Sequence, residues 1–148
     1  MIQQTHITPI LAEETIPVRQ PMLRAGLPVS SCIFKGDELS STLHLGAFHN
    51  NQLVGVVTYM QQHHKLFKQK NQYQLRGMAV LTNFQGNGIG ELLVKKGQDL
   101  LKEQSIDLIW CNARKVAVAF YEKNAFFITG DPFDIPGVGT HYLMSKKI

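Results

Sequence analysis

Tyr73-Gln74-Leu75-Arg76-Gly77-Met78-Ala79-Val80-Leu81 runs, after three residues, into Gln85-Gly86-Asn87-Gly88-Ile89-Gly90 and then into a helical pattern that begins at Glu91. The first segment alternates and then turns continuously apolar, as a strand buried at its far end does. From Ile89 the apolar residues recur at Ile89, Leu92, Leu93, Leu100 and Leu101, while Glu91, Lys95, Gln98, Asp99, Lys102 and Glu103 are polar. This spacing predicts a helix with one buried face, continuing to about residue 104. Three glycines in five residues between strand and helix free the backbone for positive φ and present amide N–H groups with no side chain in the way. A strand, a glycine turn and a helix start together make an anion site.

Residue chemistry separates the phosphate loops that share this outline. A nucleoside triphosphate loop needs a lysine and a hydroxyl after its last glycine, but Glu91 and Leu92 follow Gly90. The dinucleotide fingerprint would start at Gly86 and Gly88 and needs a third glycine where Glu91 stands. It also needs an acid at the end of the next strand, whereas Asp107 begins the next apolar run.

What remains is Gln-x-x-Gly-x-Gly, which resembles the pyrophosphate loop of the GCN5-related N-acetyltransferases. Met78-Ala79-Val80 looks like the end of that family's fourth strand, residues 106–111 like its fifth, and Ala119-Phe120-Tyr121-Glu122-Lys123-Asn124-Ala125-Phe126 like its Phe-Tyr-x-x-x-Gly-Phe helix end. The resemblance covers residues 40–148 and is loose before them. It implies one α/β domain over residues 1–148, with a mixed, mostly antiparallel central sheet containing a splayed parallel strand pair and flanked by helices.

Composition agrees. A chain of 148 residues is one ordinary domain. No apolar run approaches the roughly 18 residues of a membrane helix. Met1-Ile2-Gln3-Gln4-Thr5-His6 lacks the basic start and apolar block of a signal peptide, so a cytoplasmic location is the expectation. Cys32 and Cys111 are too few and too far apart for a disulfide scaffold or a zinc site and read as buried hydrophobes. The formal charge of +4 comes from scattered lysines, and no aromatic and arginine interleaving points to nucleic acid.

Along the chain, residues 4–10 suggest an edge strand, and Glu13, Glu14, Thr15 and Pro17 a helix start with Val18, Met22 and Leu23 inward and Pro21 as a limit. Residues 28–41 read as a loop over the acceptor side. Residues 42–48 and 52–60 form a hairpin through His49-Asn50-Asn51. His63 and His64, taken as strand neighbours, point to opposite faces and share no metal. Residues 106–111 pair in parallel with residues 73–81 because a helix crosses between them. Asn112 and Arg114 open a helix over residues 115–124 with Val116, Ala117, Phe120 and Tyr121 inward. Residues 126–129 and 141–146 complete the sheet, and residues 130–140 are a loop that overhangs a pocket.

The resemblance implies acetyl transfer from acetyl-CoA to a primary amine of a small molecule or peptide, directly, in a ternary complex without metal. Pantetheine would lie along Met78, Ala79 and Val80, and the pyrophosphate over the amides of Gln85, Gly86, Asn87, Gly88, Ile89 and Gly90. Tyr121 stands where the family has its proton donor to the leaving thiolate. Asn112 suits either a hydrogen bond to pantetheine or acceptor, or a helix N-cap. For the base, the fourth strand offers Gln74, Arg76 and Met78 rather than an acid. His141 and His44, with Glu38 behind them, are the titratable candidates, and a water chain or a neutral acceptor would need none. Cys111 in an apolar strand is a poor acyl carrier. Arg114, Lys115 or Lys123 could meet other phosphates. Two departures stand out: Asn87 replaces a frequent basic residue, and Ala125 occupies a glycine position. Two alternatives remain, a CoA-binding module without turnover and a nucleotide-binding protein. The acceptor is not legible, and the family's habits allow a homodimer.

Overall fold

The computed structural model describes residues 4–148, so the first three residues of the leader reading lie outside the described residues. Eight strands form one sheet in the order β1-β2-β3-β4-β5-β8-β6, with β7 also pairing with β8. They are β1 (Thr5–Pro9), β2 (Leu43–His49), β3 (Gln52–Gln61), β4 (Gln72–Val80), β5 (Leu108–Arg114), β6 (Phe127–Ile128), β7 (Phe133–Ile135) and β8 (Gly139–Lys147). The helices are α1 (Ile16–Leu23), α2 (Ile89–Glu103) and α3 (Val118–Lys123). Every neighbouring pair is antiparallel except β4 with β5.

The β2–β3 hairpin turns at Asn50 and Asn51 with φ of 50° and 66°. This is the conformation that a two-residue hairpin loop requires and that asparagine tolerates. Alternation along the strands sorts side chains onto two faces. One face, with Leu45, Val57, Tyr59, Tyr73, Leu75, Ile109 and Cys111, packs against Ile89, Leu93, Val94 and Leu101 of α2 and Tyr121 of α3. The other carries Val56 and Ala79 under Val18, Met22 and Leu23 of α1. α2 buries Val94 and Gly97 besides the leucines, and Leu92 and Leu100 are half-buried. Gly97 is required by packing, since a Cβ there would run into the Tyr59 ring.

The β4–β5 ladder is short. Gln72, Tyr73 and Gln74 pair with Leu108, Ile109 and Trp110, and no pairing follows, although β4 continues to Val80 and β5 to Arg114. Against β3, Thr58 faces Arg76 and Val56 faces Ala79, so Gly77 and Met78 lie opposite Val57 alone. This is a bulge, with Gly77 at φ +59°. The two parallel strands part beyond it.

Four expectations need correction. β5 runs on through Asn112, Ala113 and Arg114, which pair with Leu143, Tyr142 and His141 of β8; neither Asn112 nor Arg114 opens a helix, because β8 holds them extended. Residues 115–117 form a 3-10 turn before α3, and Val116 is 90% exposed rather than inward. The segment 130–140 is not a plain loop, since Phe133–Ile135 returns as β7 against β8 through a turn at Gly137, φ +77°. His63 and His64 lie beyond the end of β3, just before a turn at Lys65 and Leu66, and are not strand neighbours. His64 Nδ1 accepts the Leu66 amide at 3.2 Å, and its ring meets Trp110 edge-on.

Candidate active site

The site grows from the loop that follows β4. Residues 82–84 make one 3-10 turn, closed by the Phe84 amide on the Leu81 carbonyl and the Gln85 amide on the Thr82 carbonyl at 3.3 Å. Gln85 then reaches back, its side-chain amide donating to the Val80 carbonyl at 2.8 Å, which ties the loop to the end of β4. Asn87 donates to the carbonyls of Phe84 and Gln85 at 3.2 and 3.3 Å. Gly86 and Gly88 sit at φ +80° and +79°, and Gly88 is the N-cap of α2. These are left-handed conformations that glycine adopts without strain. Gly90 serves packing instead, since a Cβ there would meet the Phe120 ring at 3.0 Å.

The backbone amides of Gly86, Asn87, Gly88, Ile89 and Gly90 have no hydrogen-bond partner among the described residues. The Gln85 amide, counted among the donors from sequence, is already engaged in the 3-10 turn. Five unpaired donors at the positive end of a 15-residue helix favour an anion.

An open cleft of about 590 Å³ lies beside them. Met78, Ala79 and Val80 of β4, Gln85, Gly86, Gly88, Ile89 and Gly90 of the loop, and Tyr121 of α3 all line it, whereas Asn87 does not. Sequence reasoning missed Met22 and Leu23 of α1, Phe84, Phe120 and Glu91 as wall residues. Only the inward placing of Met22, Leu23 and Phe120 hinted at any of these. Lys123 is at the mouth, 4.0 Å from Glu91, and both are exposed enough that the pair adds little stability.

Tyr121 is 6% exposed, with its ring wedged edge-on between Phe120 and Phe126. Its hydroxyl has no hydrogen-bond partner among the described residues, unlike that of Tyr59, which donates to the Leu93 carbonyl at 3.0 Å. Burial, with Cys111 and Tyr59 nearby, pushes the Tyr121 pKa well above the usual phenol range. It therefore stays protonated across the neutral range and has a proton to offer into the cleft. Burial also pushes the Cys111 thiol up to about 12, which keeps it from acting as a nucleophile.

Asn112 and His141 are elsewhere. Asn112 on β5, and His141 on β8 opposite Arg114, share the face of Trp110, away from α2 and α3, and neither lines the cleft. His141 is buried, with Nδ1 2.8 Å from the Gly139 carbonyl and its ring stacked on Phe133. His44 is consumed by a network: its Nε2 lies 2.9 Å from the Asp37 carbonyl and its Nδ1 2.7 Å from Thr58 Oγ1. Glu38 is exposed. No group of three potential metal ligands occurs among the described residues, and no described helix is long and apolar enough to cross a membrane.

Comparison with known proteins agrees with this geometry. The acetyltransferase (GNAT) family model matches residues 12–126. The N-acetyltransferase YitI of Bacillus subtilis is 33% identical over 139 residues, which cover 94% of this chain and 93% of YitI. The crystal structure of an aminoglycoside 6'-N-acetyltransferase complexed with coenzyme A superposes with a TM-score of 0.77 at 14% identity, covering 96% of both chains. A GNAT family acetyltransferase from Elizabethkingia anophelis with acetyl-CoA bound does so with a TM-score of 0.71 at 18% identity, covering 98% of this chain and 99% of that one.

Proposed function

The chain belongs to the GNAT acetyltransferase family, and from that premise we propose that it acts in the cytoplasm as a single-domain N-acetyltransferase, moving an acetyl group from acetyl-CoA to a primary amine. The observation that carries the reading is the row of five unpaired amides from Gly86 to Gly90, four of whose residues line a cleft that is also lined by Tyr121, whose hydroxyl has no partner among the described residues.

In this reading the diphosphate of CoA takes those amides and the N-terminus of α2, with Lys123, which lines the cleft beside Glu91, as a cation close by. The pantetheine arm occupies the gap where the β4–β5 ladder stops, and its amides bond to main-chain groups that a continuous sheet would have used. The amine nitrogen attacks the thioester carbonyl carbon, the carbon–sulfur bond breaks, and the sulfur leaves as a thiolate. Tyr121 hydrogen-bonds to that thiolate, and the proton lost by the amine restores the thiol. Both reactants held together turn a bimolecular encounter into a local step. A thiolate with a pKa near 8.5 lies below a buried phenol, so stabilisation through the hydrogen bond is the larger part of the tyrosine's role.

CoA binding without turnover stands second, on one observation: among the described residues Glu91 is the only carboxylate lining the cleft, and no histidine lines it. Thiol release from acetyl-CoA over a broad amine panel separates the two. Release with at least one amine supports the enzyme, and tight CoA binding with no release supports the module. Thermal stabilisation by CoA but not by ATP or NAD is expected in both cases; the reverse would sink the shared premise about the loop.

A further inference from the structure

α1 covers one face of the sheet and α2 and α3 cover the other, yet both sides line the cleft: Met22 and Leu23 from the first, Ile89 and Tyr121 from the second. The cleft therefore draws on elements from both faces of the sheet around Met78, Ala79 and Val80, the part of β4 that lies beyond its ladder with β5. With the cofactor held on the α2 side, as the acetyltransferase reading on which this inference rests requires, an acceptor has the α1 side to enter from.

That side is cationic at the cleft. Arg24 directly follows the cleft residue Leu23, and Arg76 on β4 shortly precedes the cleft residue Met78. Both guanidinium groups lie against one ring, at 5.1 and 5.3 Å from the centroid of Phe34. That ring rests on the bulge itself, for a Cβ on Gly77 would meet Phe34 Cε2 at 3.1 Å. Arg19 lies closer still, 3.9 Å from the centroid, but its charge is matched by Asp37. Arg24 and Arg76 have no such match. Arg24 donates to the neighbouring Leu23 carbonyl at 3.0 Å, and Arg76 reaches only the Met60 sulfur at 3.7 Å. Neither forms an ion pair with a carboxylate among the described residues, Glu38 of the nearby turn included. Burial lowers the Arg76 pKa; Asp37 opposes that, while Arg19 and Arg24 add to it. Two like charges gathered on one ring, unpaired and beside an open cleft, make a site for an anion, and the guanidinium fork suits planar oxyanions.

We infer that the acceptor is a small amine carrying its own oxyanion, a carboxylate or a phosphate, which Arg24 and Arg76 bind while the nitrogen enters the cleft beside Met78. Thiol release is measured on matched pairs of acceptors differing in that anion: amino acids against their amides, and phosphoethanolamine against ethanolamine, with spermidine as a cationic control. The anionic member of at least one pair should have a KM about tenfold lower, the scale of one hydrogen-bonded charge pair. Arg76→Gln and Arg24→Gln should each remove that advantage while the Kd for CoA stays within about twofold. An advantage confined to the amino acids identifies a carboxylate, and one confined to phosphoethanolamine a phosphate. Equal KM values within every pair, or a preference for spermidine or the amides, overturns the inference. Arg24→Gln at the end of α1 keeps the test open if Arg76→Gln does not fold. If CoA binds but no pair turns over, the same pairs are compared by thermal shift with CoA present, and equal shifts overturn the inference. Failure of CoA itself to bind overturns the acetyltransferase reading and this inference with it, so the two failures are distinguishable.

Discussion

Two polar regions flank β4, and they treat their hydrogen-bonding groups in opposite ways. Under α1, the fully buried Arg19 donates to both Asp37 oxygens at 2.6 and 3.2 Å, to the Cys32 carbonyl at 2.8 Å and to Thr58 Oγ1 at 2.8 Å, leaving only its Nε without a partner among the described residues. Thr58 in turn meets His44. In the loop after β4, five amides and the Tyr121 hydroxyl have no partner among the described residues. Polar groups that the fold consumes lock the 28–41 segment onto the sheet, and those it leaves open are free for a ligand. A buried charge pair is expensive to break, whereas an exposed free donor costs the fold little.

The largest expected effect breaks the first region. Arg19→Met strands the buried Asp37 carboxylate and should cost about 3–5 kcal/mol of stability, measured by denaturant midpoint. A cost under about 1 kcal/mol would mean that the pair is not the lock it looks like. The same pair predicts a pH dependence. Burial alone would raise the Asp37 pKa, but the Arg19 hydrogen bond, the Phe34 amide and the Arg19 charge outweigh it and hold the carboxyl below its usual 3.8. A lowered carboxyl stabilises the fold above its unfolded pKa, and the contribution fades as pH falls through the folded value. Stability should therefore drop below about pH 4, and in Asp37→Asn that part of the slope should disappear.

The next effect probes the second region. Tyr121→Phe should lower kcat by about 10²-fold with the Kd for CoA unchanged and the melting temperature scarcely moved, because the lost hydroxyl had no partner in the fold. Tyr59→Phe is its mirror. That hydroxyl is bonded to α2, so stability should fall by about 1 kcal/mol while kcat holds. Equal stability losses in the two variants would erase the distinction between consumed and open groups. The smallest effect lies at Ala125, which stands at φ +68° just past α3. Ala125→Gly should raise stability by up to about 1 kcal/mol by relieving that conformation, offset in part by the entropy of glycine.

The open region was more legible in the sequence than the consumed one, for a physical reason. A glycine loop between a strand and a helix is specified by neighbours in the chain, so Gly86, Gly88 and the start of α2 could be placed from spacing alone. The strain at Ala125 was foreseeable from the resemblance alone, which puts a glycine at that position. Arg19 reads as an ordinary helix residue until residues 32–37 and Thr58 fold around it, and no local pattern announces those partners. Asn112-Ala113-Arg114 has the composition of a helix entry, but the pairing with β8 outweighs it. Val116 is exposed because the chain takes a 3-10 turn before α3, which shifts the helical phase. The wall supplied by Met22 and Leu23 depends on α1 packing over Val56 and Ala79, a long-range fact.

The most direct test of the central claim is a crystal structure of the chain with CoA. The account predicts diphosphate oxygens within about 2.7–3.2 Å of several amides from Gly86 to Gly90, pantetheine in the gap between β4 and β5, and sulfur beside the Tyr121 hydroxyl. A diphosphate bound away from this loop, with the five amides still unoccupied, would contradict it.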